Sequence, residues 1–460
     1  MDPLARPLSR RQLLRYGAGG LALTGLGPLL AACGGSDSET AADGGTLTGE
    51  MDLWWWGEQE AVGLKKWVEE TNAKFKAEVG PSVKSNLLDT GQVISQFANA
   101  AAAGKPPDVQ FLWNGIYHME NAWLGYLEPL DGVVSDDVLK RSGATALSTF
   151  EGKQYRVGWY AIGMGMAYNK NLFEKAGLDA DSPPETWDEL LAAGEKLKGI
   201  DVSPIGGGVK DGYLGEWWLG QGLTQNLDSP ADAIKLFIGE LDWREPKYHE
   251  HWTRLEELHK AGFINDDINS LELYQGIQLM DTNKLAITTS VSTLLPASQK
   301  ALGEDGVGFM VMPVFGKGEL AGKPLLDSQG FGIPKKAKHK EAAARWLEFI
   351  HSEERVNALY ETVEQVPTNE SFDPDSITNP LIKSFHERWI AGEHLPYVPN
   401  LMPTLFWSDA MFVASQKILN GTMTGEQAGE LAVEITDKWK KRNPDLVENY
   451  AKWSDDLADA

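Results

Sequence analysis

The sequence predicts an α/β protein of two domains, and three observations carry that prediction. The chain has 460 residues, 42% of them hydrophobic, and a length of that order normally divides into two cores. Short apolar runs alternate with amphipathic segments. This strand–helix–strand–helix rhythm implies a largely parallel sheet covered by helices on both faces. No short-period repeat is visible, which argues against a solenoid or propeller.

The first 32 residues read as an export signal. Arg6, Arg10, Arg11 and Arg15 precede an apolar stretch from Tyr16 to Ala32 that is interrupted by glycines and Pro28. It is too short and broken to span a membrane, whereas basic-then-apolar order is that of a signal peptide. Ser9-Arg10-Arg11-Gln12-Leu13-Leu14 resembles the twin-arginine signal; a Sec signal with two adjacent arginines is the alternative. The segment ends Leu30-Ala31-Ala32-Cys33-Gly34. This resembles a bacterial lipobox, in which cleavage leaves a lipidated Cys33; an ordinary cut beside a chance cysteine is the alternative. Residues 33–49 are small, polar and acidic, and such a run cannot bury enough apolar surface to fold, so a flexible tether is expected.

The folded body begins near Glu50. Asp52–Trp56 reads as a buried strand ended by Gly57. Leu64, Trp67, Val68, Thr71 and Phe75 follow at helical spacing. A helix over 92–103 is closed by Gly104-Lys105-Pro106-Pro107, and Val109–Trp113 reads as the next strand. Thr186 and Glu189 stand at capping-box spacing before the stripe of Trp187, Leu190, Leu191 and Leu197. Strands are predicted over 285–289 and 307–312. Two further helices carry Ala343, Trp346, Leu347 and Ile350, then Val356, Leu359, Tyr360 and Val363.

Several segments together resemble one family, the carbohydrate-binding components of bacterial ABC importers, which are maltose-binding-protein-like extracellular solute-binding proteins. They are Gly104–Val109, Gly125–Asp131, Gly152–Tyr155 running on to Tyr168–Leu178, Pro183–Leu190, Met310–Pro313, Gly330–Pro334 and the alanine-rich helix ending at Ser352-Glu353-Glu354. The resemblance implies a two-lobed, periplasmic-binding-protein-like fold of class II, with a hinge and an interlobe cleft. It implies that residues 50–160 and 288–334 form the N-terminal lobe and that 161–287 and 335–460 form the C-terminal lobe. The chain would cross near Tyr160, Ser290 and Pro334.

A pyranose offers apolar C–H faces to aromatic rings and hydroxyl rims to carboxylates and amides. The chain has 17 tryptophans, several at expected strand ends. The resemblance implies that Trp407 stands at a ring-stacking position, Glu58 at an acidic position after the first strand and Tyr213 at an aromatic position of the second lobe; Trp407, Trp217 and Tyr160 are expected as platforms, and Glu58, Asn114 and Asp409 as hydrogen-bonding partners. Trp56, Gln59, Trp113, Ser290 and Gln329 complete the expected lining. Trp54 or Trp55 must point inward, Trp67, Trp187, Trp346 and Trp439 are expected in helix–sheet packing, and only one of Trp217 and Trp218 faces the cleft.

The remaining composition excludes other classes. Lys+Arg number 42 against 66 Asp+Glu, a net −24; loss of residues 1–32 leaves 38 basic and 65 acidic side chains, or −27. Nucleic acid is not an expected partner, and lipid rather than charge would hold the protein to a membrane. One cysteine excludes internal disulfides, Cys-based zinc sites and Cys-ligated iron–sulfur clusters. No phosphate-binding loop or His-Glu-x-x-His motif occurs. His249-Glu250-His251 reads as a solvated helix face, and Gly206-Gly207-Gly208 as a flexible turn. No cofactor, metal or catalytic residue is expected. The resemblance implies a monomer, outside the cytoplasm and anchored through Cys33, that captures an oligosaccharide and delivers it to a membrane permease. An exported carbohydrate-active enzyme using Glu58 and Asp409, or a binder of a polyol or peptide, are the competing readings.

Overall fold

The computed structural model describes residues 47–113, 118–143 and 146–458. The export signal, Cys33, the tether as far as Thr46, and Asn114 lie outside the described residues. The described residues form one compact unit.

Eleven strands occur among the described residues: β1 (Glu50–Trp55), β2 (Ser82–Leu87), β3 (Val109–Leu112), β4 (Thr149–Phe150), β5 (Lys153–Gln154), β6 (Val157–Asn169), β7 (Ser203–Gly206), β8 (Leu285–Val291), β9 (Val307–Met310), β10 (Leu325–Gly332) and β11 (Leu395–Pro396). Nine belong to one sheet, whose main order is β2-β1-β3-β10-β6-β8-β7, with β9 on β6 and β11 on β10; β4 and β5 form a separate hairpin. The strands β2, β1 and β3 run parallel to one another, as do β7 and β8. β6 runs antiparallel to β8, β9 and β10, and β10 antiparallel to β3, whereas β11 lies parallel on β10, so the sheet is mixed rather than largely parallel. Local sequence sets strand propensity, but direction depends on where the chain returns, which is a long-range property.

β6 organises the whole. All 13 of its residues are buried. Its first part, Val157–Met164, pairs with β10, and its last part, Met166–Tyr168, pairs with both β8 and β9. Because β8 and β9 share the same stretch of β6, they must lie on opposite edges of it. The sheet therefore has two ends, β2-β1-β3-β10 and β9-β6-β8-β7, joined where Met164 meets both Leu325 and Val291.

Helix packing corrects the expected lobe boundaries. The helices Lys340–Ile350 and Glu353–Val363 pack on Leu64–Glu78, at the β1 end. The Trp346 indole donates to Asn72 Oδ1 at 2.9 Å, and Trp67 donates to the Arg355 carbonyl at 3.2 Å. Residues 340–363 thus belong with β1 and not with the second lobe to which 335–460 was assigned. Conversely, β9 and the helix Leu295–Leu302 that packs on it stand at the β8 end, although 288–334 was assigned to the first lobe. The chain runs along β10 to the β1 end and stays there for two more helices.

Two smaller expectations are also corrected. His249 and His251 are buried, His251 completely. The helix Pro246–Lys260 is sandwiched by Tyr213–Thr224, Phe412–Leu419 and Gly425–Arg442, so this face is not solvated. Gly206–Gly208 is a packing crossing rather than a flexible turn. A Cβ on Gly208 would lie 2.2 Å from the Glu272 carbonyl oxygen, and one on Gly276 would lie 2.1 Å from Gly207 C and Gly208 N. Backbone here touches backbone, and the contact seats the helix Leu273–Asp281. Gly276→Ala is expected to lower stability by about 2 kcal/mol or more, because neither backbone can yield cheaply. A urea-melt midpoint indistinguishable from wild type would remove this role.

Candidate functional site

A cleft with a cavity volume of about 70 Å³ lies where the two ends of the sheet meet. Its floor is Ile162, Met164, Val291, Asp327 and Gln329, all from the shared strands. Alternation along a strand sends Ile162 and Met164 to one face. Trp56 and Glu60 come from the turn after β1, and Trp113 from the end of β3. The opposite wall is Tyr213, Glu216 and Trp217 from the helix Tyr213–Thr224, with Leu273 and Tyr274 from the next crossing helix; Tyr397 and Asn400 close the base.

Aromatic rings form a line through the cleft. Trp56 meets Trp113 edge-on at 5.1 Å, Trp113 meets Tyr213 at 6.3 Å, and Tyr213 meets Trp407 at 5.5 Å. The Trp113–Tyr213 pair links the two ends of the sheet. The line continues outward into a wider groove that shares Thr90, Tyr213 and Tyr274 with the cleft and includes Gln59, Trp407 and Phe412. Four carboxylates, Asp89, Glu120, Asp211 and Glu272, also line that groove. Trp407 begins a five-residue π-type turn, Trp407–Met411, between the regular helical segments Thr404–Phe406 and Phe412–Leu419. Such bulges redirect side chains and recur at functional sites.

Three carboxylates are buried in the cleft: Glu60, Glu216 and Asp327. Glu60 accepts from Thr293 Oγ1 at 3.0 Å. Burial pushes its carboxyl up to about 7, against the opposing hydrogen bonds from Thr293 and Gln329. Glu216 accepts from the Trp407 indole at 2.6 Å, and burial pushes it up to about 8. Asp327 accepts from Asn400 Nδ2. Arg156 stands behind it, fully buried and donating to Ser328 O at 2.7 Å, Ser328 Oγ at 2.9 Å and Ser148 Oγ at 3.1 Å.

The structure brings Trp56, Trp113, Tyr213, Trp217 and Gln329 of the expected lining to the cleft, and Gln59 and Trp407 to the adjoining groove. Of the adjacent tryptophans, Trp217 lines the cleft, while Trp218 points into the core and donates to the His251 carbonyl at 2.7 Å. Trp55 is the inward residue of its strand.

Four expected residues are elsewhere. Glu58 caps the helix Leu64–Glu78, accepting from Gly63 N at 3.0 Å and from Lys65 N. The turn at Gly57, where Glu60 N and Ala61 N both bond the Gly57 carbonyl, sends Glu58 outward and Glu60 inward. Tyr160 shares a face with Ile162 but sits deeper in the β1 end, fully buried beneath Gly57 and against Trp159 at 4.9 Å. Ser290 is one residue off: Val291, not Ser290, is a lining residue, as strand alternation dictates. Asp409 bonds Ser408 Oγ at 2.8 Å and approaches Lys438 at 3.7 Å; two residues beyond Trp407 on a helix, it projects to another side. Glu58→Ala is therefore expected to lower stability by about 1 kcal/mol through the lost cap and to leave ligand affinity as it is, which a melt paired with a binding isotherm checks.

Sequence reasoning missed Glu60, Glu216, Asp327, Tyr274, Tyr397 and Asn400. A signal existed for two of them. Glu216 is the one charged residue of the helix YLGEWWLGQGLT, and Asp327 the one charge in the buried strand LLDSQGFG. A charge inside an otherwise apolar element is rarely there for packing. Glu60 had no such mark.

Residues 56–355 match the family described as bacterial extracellular solute-binding protein. The chain belongs to the bacterial extracellular solute-binding proteins. An uncharacterized ABC transporter extracellular-binding protein of Pyrococcus horikoshii is 25% identical over 438 residues, covering 91% of this chain and 93% of the relative. An sn-glycerol-3-phosphate-binding periplasmic protein of Salmonella paratyphi A is 28% identical over 225 residues, 44% of this chain and 45% of the relative. A solved chitin oligosaccharide binding protein superposes with a TM-score of 0.75 at 24% identity, covering 85% of this chain and 98% of the other. The fold is the two-lobed one of maltose-binding type. This solute-binding protein therefore works outside the cytoplasm, and its family and fold are those of transport proteins rather than enzymes. The cleft at the strand junction is where a two-lobed solute-binding protein would close on its ligand.

Proposed function

We propose that this solute-binding protein captures an oligosaccharide in the cleft and delivers it to the permease of an ABC importer. The observation that carries this reading is the pairing of aromatic faces with buried carboxylates and amides. Trp56, Trp113, Tyr213 and Trp217 supply flat apolar surface, while Glu60, Asp327, Gln329 and Asn400 supply acceptors and donors in the same cleft. The adjoining groove with Trp407 gives room for further rings. A phosphate-bearing ligand, such as that named for the Salmonella relative, would need Lys or Arg at the site, and no lysine, arginine or histidine lines the described cleft or groove. The enzyme reading loses the pair it rested on, since neither Glu58 nor Asp409 lines the cleft.

The signal-like 1–32, Cys33 at its end and the tether 33–49 support export and a lipid anchor, with the folded monomer held near the permease. The resemblance and the chitin-oligosaccharide neighbour support a ligand of several rings. A thermal-shift screen over mono-, di- and oligosaccharides tests the reading, because a ligand that binds only the native state raises its melting temperature. An oligosaccharide series should give the largest shifts and be recovered uncleaved. No shift with any sugar, or hydrolysis of the sugar, would reject it.

A further inference from the structure

We propose that Glu120 is a positioning residue for the binding surface: from the β1 end it holds Thr404, and through Thr404 it sets where Trp407 stands in the outer groove. That this surface serves a sugar rests on the carbohydrate reading above. The positioning itself does not, and it is testable without a ligand.

Glu120 lies on the short helix His118–Trp123, which follows β3. The chain just beyond that helix stays at the β1 end, where Glu128 N bonds the Ile333 carbonyl and Lys335 N bonds the Tyr126 carbonyl, both at 2.8 Å. Thr404 belongs to the other end of the sheet. It opens the turn Thr404–Phe406, and the Phe406 ring packs on Phe237 and Trp243, each at 5.0 Å. This turn and the following Trp407–Met411 also pack on the helix Gly425–Arg442. Glu120 Oε2 accepts from Thr404 Oγ1 at 2.7 Å, and Oε1 accepts from Thr404 N at 3.4 Å. A carboxylate on one side of the groove thus grips the first residue of a turn on the other, and both residues line the groove. Three residues on, Trp407 N bonds the Pro403 carbonyl at 3.1 Å. Residues three apart on one helical turn share a face, so whatever fixes Thr404 also fixes Trp407, whose indole reaches Glu216 at 2.6 Å.

A carboxylate suits this task, because its two oxygens take the hydroxyl and the amide of one residue together. Oε1 also accepts from the Tyr450 hydroxyl at 3.2 Å. The donors, two from Thr404 and one from Tyr450, are uncharged, so these bonds are directional anchors and not an exposed ion pair of little worth. Tyr450 belongs to the C-terminal helix Pro444–Ala458, which buttresses the same junction. Tyr450 and Trp453 meet Trp123 edge-on at 4.7 Å and 5.7 Å, and the Trp453 indole donates to the Thr149 carbonyl at 3.1 Å. The same helix packs on Pro230–Phe237 at the other end, where Ser454 Oγ donates to the Ala231 carbonyl at 3.3 Å. The two ends of the sheet are therefore joined at Glu120 as well as along the strands, and the joint lies next to the residue that forms the aromatic wall of the groove.

The test is nitrogen–proton correlation NMR of the tryptophan indoles in the purified, sugar-free protein. Trp407→Phe identifies the Trp407 signal by its loss. Trp346→Phe does the same for Trp346, whose bond to Asn72 at 2.9 Å reports an intact β1 end. Thr404→Val removes the hydroxyl at nearly constant shape. It is expected to move the Trp407 signal and to speed hydrogen exchange of that indole by about tenfold, while Trp346 stays as in wild type. Glu120→Ala should do the same. Glu120→Gln keeps an acceptor for the Thr404 hydroxyl and should restore most of the protection. Tyr450→Phe removes only the bond from the C-terminal helix and should leave Trp407 close to wild type. Wild-type exchange at Trp407 in Thr404→Val overturns the inference, whether or not Glu120→Ala folds. A Tyr450→Phe effect as large as that of Thr404→Val overturns it too, since the C-terminal helix would then set the position. Neither outcome touches the carbohydrate reading, which stands or falls on the sugar screen.

Discussion

Replacing Trp407 with alanine lowers affinity for the cognate oligosaccharide by about 30-fold, or roughly 2 kcal/mol. The substitution removes a ring that lines the outer groove and stands 5.5 Å from Tyr213. It also removes the indole N–H that reaches Glu216 at 2.6 Å, so one of the buried carboxylates loses a donor. Trp407→Phe separates the two effects, since it keeps an aromatic face and deletes only the donor. It should recover most of the stacking contribution while pushing the Glu216 carboxyl higher still. Because Trp407 is only partly buried, the alanine variant should fold. Titration calorimetry decides: affinity equal to wild type in the alanine variant would exclude Trp407 from the binding surface.

The ligand-free protein is expected to be most stable between about pH 4.5 and 6.5 and to lose stability steadily above that range. The sign follows from four buried groups. Burial raises Glu60 from 4.5 to about 7 and Glu216 from 4.5 to about 8. The folded state therefore holds these protons more tightly than the unfolded one, and the stabilisation they give is complete at low pH and is lost as pH rises from 4.5 through 7 and 8. Burial lowers His251 and His351 from 6.5 to about 3. The unfolded state then binds protons the folded state refuses, so their contribution is complete above 6.5 and is lost as pH falls towards 3. Between 4.5 and 6.5 the two slopes oppose one another. Above 6.5 only the carboxylates titrate, each costing about 1.4 kcal/mol per pH unit until its folded value is passed. Denaturant melts across this range should show the alkaline decline in wild type and a shallower one in Glu216→Gln. A stability curve flat from neutral to mildly alkaline pH would contradict the burial of Glu60 and Glu216 as ionisable groups.

The same desolvation links stability to binding. Carboxylates held half-neutral near pH 7 in the empty cleft ionise more readily when a ligand offers donors or positive charge. Sites where burial pushes titratable groups this far are candidates for function. Here the geometry agrees, since Glu60, Glu216 and Asp327 all border one cavity at the junction of β6, β8 and β10.

Local structure was widely legible. The strand at Leu53–Trp55, the helix carrying Leu64, Trp67, Val68, Thr71 and Phe75, and the capping box of Thr186 and Glu189 all stand where apolar spacing and cap chemistry placed them. Trp67, Trp187, Trp346 and Trp439 are buried in helix packing, as their positions on apolar stripes implied. The ordered set of family segments pointed to the family that residues 56–355 match. The site was legible in part. Tryptophans at strand ends led to Trp56 and Trp113, and an aromatic cluster led to Tyr213 and Trp217. Residue type and rough location are carried by short windows of sequence. Whether a given acid at a strand end turns towards a cleft or towards a helix terminus is not, because one turn of backbone at Gly57 exchanges Glu58 for Glu60.

The sequence by itself determined the α/β class and the chain's family. Each of these follows from composition, periodicity or contiguous motifs. Only the tertiary structure decided that β6 runs antiparallel to β10, β8 and β9, that residues 340–363 pack at the β1 end, and that Glu60, Glu216 and Asp327 converge. Those outcomes join positions as far apart as 60 and 327. They are set by the direction in which the chain re-enters the sheet, and no local spacing rule encodes that direction.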